Sequence, residues 1–231
     1  MINLGTESQA FARGGNRLCF FDPSDSKRCI KVLRPDRDPL TKRAQRGFPR
    51  NLKPLRYFDD NREEFLVYQQ IEKSVGESAF ELIPRGFGFV DTNYGRGLVS
   101  EIITDSDDKI SISLKQYVWT QGITDELNSA LDRFKRRWSE LGMPSRNLLL
   151  HNIVVQQDGG VIKRLVVIDG LGWSDLFPLA YWIPSIARKK AKRKVGRLPE
   201  SINELIEKKT LGKDWGYHGW LDDSKREVPP N

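Results

Sequence analysis

The sequence is poor in the side chains that build metal cages and disulfide frameworks. It holds two cysteines and two histidines in 231 residues. Cys19 and Cys29 fall in neighbouring expected strands, close enough to face each other, but two thiols make no disulfide framework. They read as buried apolar thiols in a reducing cytoplasm. With His and Cys this few and this scattered, a zinc-ligand cluster is excluded. Long apolar runs are also missing. The longest, Leu176–Ala187 (LFPLAYWIPSIA), is too short to span a bilayer and carries two prolines, so no transmembrane segment is expected. The opening MINLGTESQAF lacks a charged n-region and an apolar h-region, so it is not expected to act as a signal peptide. The expected location is cytoplasmic.

What the chain does have is charge, unevenly placed. The net charge is +7. The decapeptide RKKAKRKVGR, Arg188–Arg197, contributes seven basic residues and no acid, which accounts for the whole imbalance. A uniformly basic, nucleic-acid-coating surface is therefore disfavoured. The decapeptide reads either as a solvated helix face or as a site for an anionic partner, nucleic acid or acidic lipid, beside Tyr181 and Trp182. At 231 residues the chain can bury a core in one domain or two small lobes.

Taken in order, Leu4–Phe11 and Arg17–Phe21 read as strands around the turn Ala12-Arg13-Gly14-Gly15-Asn16. A glycine-bearing turn can lie over phosphates, because no Cβ intervenes. Cys29–Leu33 is an apolar strand with Lys31 inside it, which breaks the polar-out rule unless the lysine faces a solvated edge or a phosphate. Arg34–Leu55, rich in Pro, Arg and Asp, reads as a loop. Asp60 and Glu63 are spaced as a capping box, and Phe65, Tyr68 and Ile71 follow at helical spacing. Glu64 sits beside that stripe, where a carboxylate is costly unless paired; Lys31 is the expected partner. Two further strands, Ile83–Val90 and Gly97–Ile103, precede the polar run Thr104–Asp108. A helix capped near Thr124 carries the stripe Leu127, Leu131, Phe134, Trp138 and Leu141, which is plain core packing, and Gly142 closes it with Pro144 beyond. Ser201–Lys208 reads as a short helix, and Trp215–Asn231 is expected to fray.

The most informative stretch is Ser145–Trp173. It reads as a hairpin, Ile153–Val155 and Leu165–Ile168, turned at Asp158-Gly159-Gly160. The pairing brings Asn152, just before one strand, near Asp169, just after the other. An amide oxygen and a carboxylate at one end of a hairpin suit Mg²⁺.

A strand lysine, a helix glutamate, an Asn before a hairpin and an Asp after it resemble the protein-kinase-like superfamily. More narrowly, Arg28-Cys29-Ile30-Lys31, Glu64-x-x-x-Tyr68, Asn152-Ile153, Asp169 with Gly172, and Pro178-Leu179-Ala180-x-Trp182 resemble the YrbL family, kinase-like bacterial proteins reported in the PhoP regulatory network. The resemblance covers roughly residues 4 to 190. It implies an α+β, two-lobed fold. The N-terminal lobe, residues 1–103, would hold an antiparallel sheet plus one helix. The C-terminal lobe, residues 104–231, would be reduced and mostly helical, and would carry the hairpin 145–173. It also implies ATP and Mg²⁺ as cofactors. Gly14 and Gly15 would lie over the phosphates, Lys31 would contact the α- and β-phosphates, and Glu64 would hold Lys31. Backbone groups of Glu101 to Ile103 would meet adenine, and Asn152 and Asp169 would ligate Mg²⁺.

The chain departs from ordinary kinases in three places. Asn147 stands where they carry the catalytic-loop Asp, and an amide cannot accept the substrate's proton. Leu149 replaces the usual catalytic-loop lysine. Asp169 is followed by Gly170-Leu171-Gly172, and no Ala-Pro-Glu motif appears. His151 is a substitute base on paper, though a His in that place is more often structural. General-base catalysis contributes about 10²–10⁴-fold, so its loss slows transfer without abolishing nucleotide binding. The expected function is a kinase-like ATP/Mg-binding protein with weak or atypical phosphotransferase activity on an unknown acceptor. The alternative is a pseudokinase, a regulatory or scaffold module whose segment 188–197 binds an anionic partner.

Overall fold

The structure, a computed structural model, describes residues 1–173, 179–216 and 218–229. The expected motif residue Pro178 lies outside them, as do Leu176 and Pro230. The chain is mixed α+β and divides into two compact units. One comprises residues 1–69, 85–102 and 228–231, and the other 70–84 and 103–227.

The first unit is built on an antiparallel sheet of β1 (Ala12–Arg13), β2 (Arg17–Asp22), β3 (Asp25–Leu33), β4 (Gly86–Thr92) and β5 (Gly95–Glu101), in the order β1-β2-β3-β5-β4. β3 is central. Its residues Cys29–Val32 are all buried, the continuous pattern of a strand covered on both faces. Leu18 and Phe20 of β2 lie opposite Val32 and Ile30, and these four form a core with Leu4, Ala10 and Val99. Lys31 points to the other face with Cys29, whose Sγ lies 3.2 Å from Ser100 Oγ. Two helices belong here: α1 (Pro39–Ala44) and the first part of α2 (Asp60–Val75).

Three local expectations are corrected in this unit. Leu4–Phe11 is not a strand. The Gln9 side chain accepts from Thr6 N–H at 2.8 Å and closes a 3₁₀ turn at Glu7–Gln9. Arg34–Leu55 is not a bare loop, because Asp38 accepts from Leu40 and Thr41 N–H with Pro39 at the first helical position and so nucleates α1. The cap of α2 is Asp59, whose carboxylate accepts from Asn61 and Arg62 N–H. Asp60 pairs instead with Lys42.

The second unit contains α3 (Leu114–Gln121), α4 (Asp125–Leu141), the hairpin β6 (Ile153–Asp158) and β7 (Val161–Val167), α5 (Pro184–Val195) and α6 (Leu198–Thr210). Gly159 and Gly160 have φ of 57° and 87°. Both central residues of the two-residue turn are thus left-handed, as a tight hairpin demands, and Ile153 comes opposite Val167. α4 is capped by Thr124, which accepts from Leu127 N–H, and it ends at Gly142 with φ 65°. A Cβ on Gly142 would lie 2.8 Å from that of Ala187, so the same glycine lets α5 approach. The segment 77–82 is tied to β7: Arg164 Nη1 donates to Phe80 O and Val167 N–H to Leu82 O.

The expected fraying of Trp215–Asn231 is also corrected for the described residues among them. Residues 215, 216 and 218–221 form a strap over α3. Lys115 Nζ donates to Trp215 O at 3.0 Å and to His218 O at 2.8 Å, and it sits 4.1 Å over the Trp215 ring. Ser113 Oγ donates to Gly219 O, and Gln116 and Leu221 exchange two hydrogen bonds. Trp215 meets Trp119 and Trp220 edge-on. Further on, Arg226 Nη2 pairs with Asp105 at 2.9 Å. Gly219, at φ 94°, presses on His151: a Cβ there would fall 2.6 Å from the His151 Cβ. Gly212 shares a positive φ but meets nothing. Gly219→Ala should therefore cost about 1–3 kcal/mol of strain plus the clash, and should lower the urea midpoint more than Gly212→Ala does. Equal midpoints for the two variants would mean that the strap is not seated on the loop.

Candidate functional site

In the first unit, the strand lysine and the helix glutamate meet. Lys31 is 8% exposed on the central strand, and its Nζ donates to Glu64 Oε1 at 2.7 Å. Glu64 reaches it from α2, which is docked on β3 by Asn61, whose Nδ2 donates to Lys31 O at 2.8 Å. The carboxylate is gripped three ways, because Arg17 of β2 pairs with Oε2 and Tyr68 OH donates to Oε1 at 3.0 Å. Gly86 makes room for that phenol: a Cβ would stand 2.9 Å from the Tyr68 ring. Burial alone would raise the Glu64 pKa, but Arg17 and Lys31 outweigh it and hold the carboxyl at about 2. Burial works against the Lys31 charge as well, and Glu64 more than restores it, so the ammonium titrates above its ordinary range.

Two thiols border this cluster, and both are free. Burial, with Cys29 next, pushes Cys19 up to about 12, and burial likewise raises Cys29. Both shifts disfavour the thiolate, which is the nucleophilic form. Gly14 and Gly15 form the β1–β2 turn; their carbonyls accept from Arg34 Nη1, and nothing lies within 4 Å of a Cβ built on Gly15. Glu101, the last residue of β5, donates its N–H to Arg85 O and accepts from Arg85 N–H on its carboxylate.

In the second unit, Asn152 and Asp169 close one end of the β6–β7 hairpin. Ile168 N–H donates to Asn152 O at 2.9 Å. The link between the two side chains is Gly170, at φ 77°. Its N–H donates to Asp169 Oδ1, and a Cβ on it would lie 3.2 Å from Asn152 Nδ2 and 2.7 Å from Asn147 O. Asn147 is exposed in the loop before the hairpin. His151, half-buried, stacks 5.5 Å from His218 of the strap. Burial first, then His218 and Lys115, lower its pKa, against an opposing pull from Asp169. Ile103, expected beside adenine, falls in this unit, and its carbonyl accepts from Ser111 N–H. Among the described residues no group of three or more His, Cys, Asp or Glu could hold a metal ion.

The basic decapeptide lies mostly on α5. Ala187, Ala191 and Val195 are buried at spacings of four, which turns the cations outward. Arg188 donates to Glu140 O, Lys194 to Arg146 O, and Lys190 lies over Trp173. Lys189, Lys192, Arg193 and Arg197 are exposed. Among the described residues no helix is long and apolar enough to cross a membrane.

The family described as PhoP regulatory network protein YrbL matches residues 2–203. The chain belongs to the YrbL family. It is similar to two proteins named "Uncharacterized protein YrbL", one from Escherichia coli (strain K12) and one from Shigella flexneri. Each is 29% identical over 202 residues, covering 84% of both chains. The stretch matching the YrbL family contains Lys31, Glu64, Asn147, Asn152 and Asp169, and it stops before the strap.

Two residues of this YrbL-family cluster have no motif of their own: Arg17 opens a strand, and Asn61 sits in a helix's first turn. Tyr68 belongs to the apolar stripe and to the Glu64-x-x-x-Tyr68 motif, whose spacing of four puts both side chains on one helix face. Glu64→Gln leaves two buried cations without their carboxylate and should cost about 3–5 kcal/mol. The sign with pH follows from the depressed carboxyl: its contribution is present above the ordinary value of 4.5 and is lost as pH falls toward about 2. Acid unfolding of the native chain should show this loss. The variant, followed by thermal melts across the same range, should lack it, and an unchanged pH profile in Glu64→Gln would contradict the pairing.

Proposed function

We propose that the chain is a protein-kinase-like, ATP·Mg²⁺-binding protein with weak or atypical phosphotransferase activity. The single observation that carries this reading is the charged Lys31 held by Glu64 in the middle of a buried strand. A well-packed apolar pair would serve stability as well or better, so an ammonium kept ionised there is best explained by an anionic ligand. With Arg17 on the same carboxylate, the cluster gathers an ammonium and a guanidinium in one place, which suits a polyphosphate. Lys31 would neutralise the α- and β-phosphates, and the bare turn at Gly14–Gly15 would let backbone approach them. Backbone at Glu101–Ile103 would meet the adenine.

The donor set at the hairpin fits Mg²⁺ carried in on phosphates. Mg²⁺ keeps several waters and takes one or two protein oxygens with the rest from substrate, and Asn152 and Asp169 supply two hard oxygens. When bound, the ion would neutralise charge on the transferring phosphoryl group. Asn147 offers an amide and no base, so transfer is slowed by about 10²–10⁴-fold relative to a site with a carboxylate. ATP with Mg²⁺ should raise Tm, the stabilisation reaching about 2.7 kcal/mol at 100 times Kd. Asp169→Ala should remove the metal-dependent part, and Lys31→Ala should abolish any phosphoryl transfer found under metal screening. No shift at all would sink the nucleotide reading; a full shift in Asp169→Ala would sink only the metal assignment.

A second reading is favoured by the outward face of α5. It is a pseudokinase acting as a regulatory or scaffold module, with Lys189, Lys192, Arg193 and Arg197 meeting an anionic partner. Binding to such a partner should weaken steeply with salt, the slope of log K against log salt falling by about one for each cation removed. A slope untouched by Lys189→Ala/Lys192→Ala, measured with an acidic-lipid vesicle or a short duplex, would discard it.

A further inference from the structure

Where α4 packs on β7, within the second unit, the surface opens into a cavity of about 450 Å³. Glu81, Arg133, Arg137, Lys163 and Arg164 line it, four cations against one carboxylate. This convergence follows from helix geometry. Ala130, Arg133, Phe134 and Arg137 stand at i, i+3, i+4 and i+7, so they form one stripe of α4 and face the strand together. Lys163 and Arg164 come from β7, and Glu81 from the 3₁₀ turn that Arg164 ties to the strand.

The one carboxylate is already matched. Arg137 Nε and Nη2 hold both Glu81 oxygens, at 2.9 and 3.1 Å. Arg133 donates only to a neutral acceptor, Ile162 O at 3.2 Å, and Lys163 is an exposed ammonium with no acidic partner among the described residues. Below these charges lie Leu82, Phe134 and Leu165, buried side chains that supply an apolar floor. A concave apolar floor with Arg133 and Lys163 at its rim, neither in an ion pair among the described residues, is complementary to a molecule that is apolar at one end and anionic at the other. The volume lies in the range of small-molecule sites, about 300–1,000 Å³.

We propose that this cavity binds a small organic anion, its oxyanion group held by Arg133 and Lys163 and its apolar body resting on Leu82, Phe134 and Leu165. The site is independent of the nucleotide reading, since it uses none of Lys31, Glu64, Asn152 or Asp169. The two units of recognition are separable with 1-naphthyl phosphate as probe, and 1-naphthol and inorganic phosphate as its halves, titrated calorimetrically into the full chain. The intact probe should bind at least about ten-fold more tightly than either half. Arg133→Ala/Lys163→Ala should weaken it by about ten-fold or more, because it loses two charge-assisted contacts. Both residues are exposed, so the variant should keep the native melting temperature. Lys189→Ala/Lys192→Ala on α5 should leave the affinity unchanged, and saturating ATP with Mg²⁺ should not compete. The proposal is overturned by no binding, by equal affinity for 1-naphthol or for inorganic phosphate, by indifference to Arg133→Ala/Lys163→Ala, or by full competition from ATP.

Discussion

The first unit depends on one carboxylate. Glu64 is shared among an ammonium, a guanidinium and a phenol that come from β3, β2 and α2. Each donor alone would be an expense inside the sheet; together they satisfy one another. The arrangement fixes the rotation of α2 against the sheet, and Asn61 fixes its height by bonding the carbonyl of the very lysine that Glu64 holds. The backbone and the side chain of Lys31 are thus both committed to the same helix. Such a cluster gives little net stability. What it gives is a defined position for a charge, which an apolar core cannot provide.

The second unit solves a different problem. Its hairpin must present two oxygen-bearing side chains at one end, and the chain after β7 must turn sharply to do so. Gly170 makes the turn and also leaves space for the Asn147 carbonyl and the Asn152 amide. The loop before the hairpin is bonded to the segment after β7, Arg146 N–H donating to Gly170 O at 2.7 Å and Gly172 N–H to Pro144 O at 3.3 Å. It is also braced by the strap, through Gly219 against His151, and the strap is held in turn by the cap residue Ser113 and by Lys115 and Gln116 of α3. Burial of His151, with His218 of the strap next, lowers the pKa of its imidazole.

Much of this was readable from local pattern where pattern and chemistry disagreed. Lys31 stood out because it interrupts an apolar strand, and Glu64 because it crowds an apolar stripe. The hairpin was plain from β-branched runs around Asp158-Gly159-Gly160, and α4 from its stripe and its Gly142 stop. What escaped was whatever depends on partners far away in sequence. Arg17 bonds a carboxylate 47 residues on, and no local feature marks it. The strap escaped for the same reason: polar residues without periodicity are held by side-chain to backbone bonds spanning about a hundred residues. The 3₁₀ turn at Glu7–Gln9 escaped because a single side-chain acceptor outweighed a run that reads as extended.

The strap has a consequence for how the protein is made. Ser113 and Gly219 are 106 positions apart, and the loop leading into the hairpin leans on the later of them. While the ribosome is still translating the codons between, β6 and β7 can already pair, since their turn is local. The histidine beside them stays uncovered until residue 221 clears the exit tunnel. The strap therefore completes, from far along the chain, a region whose own turn needs no such help to form.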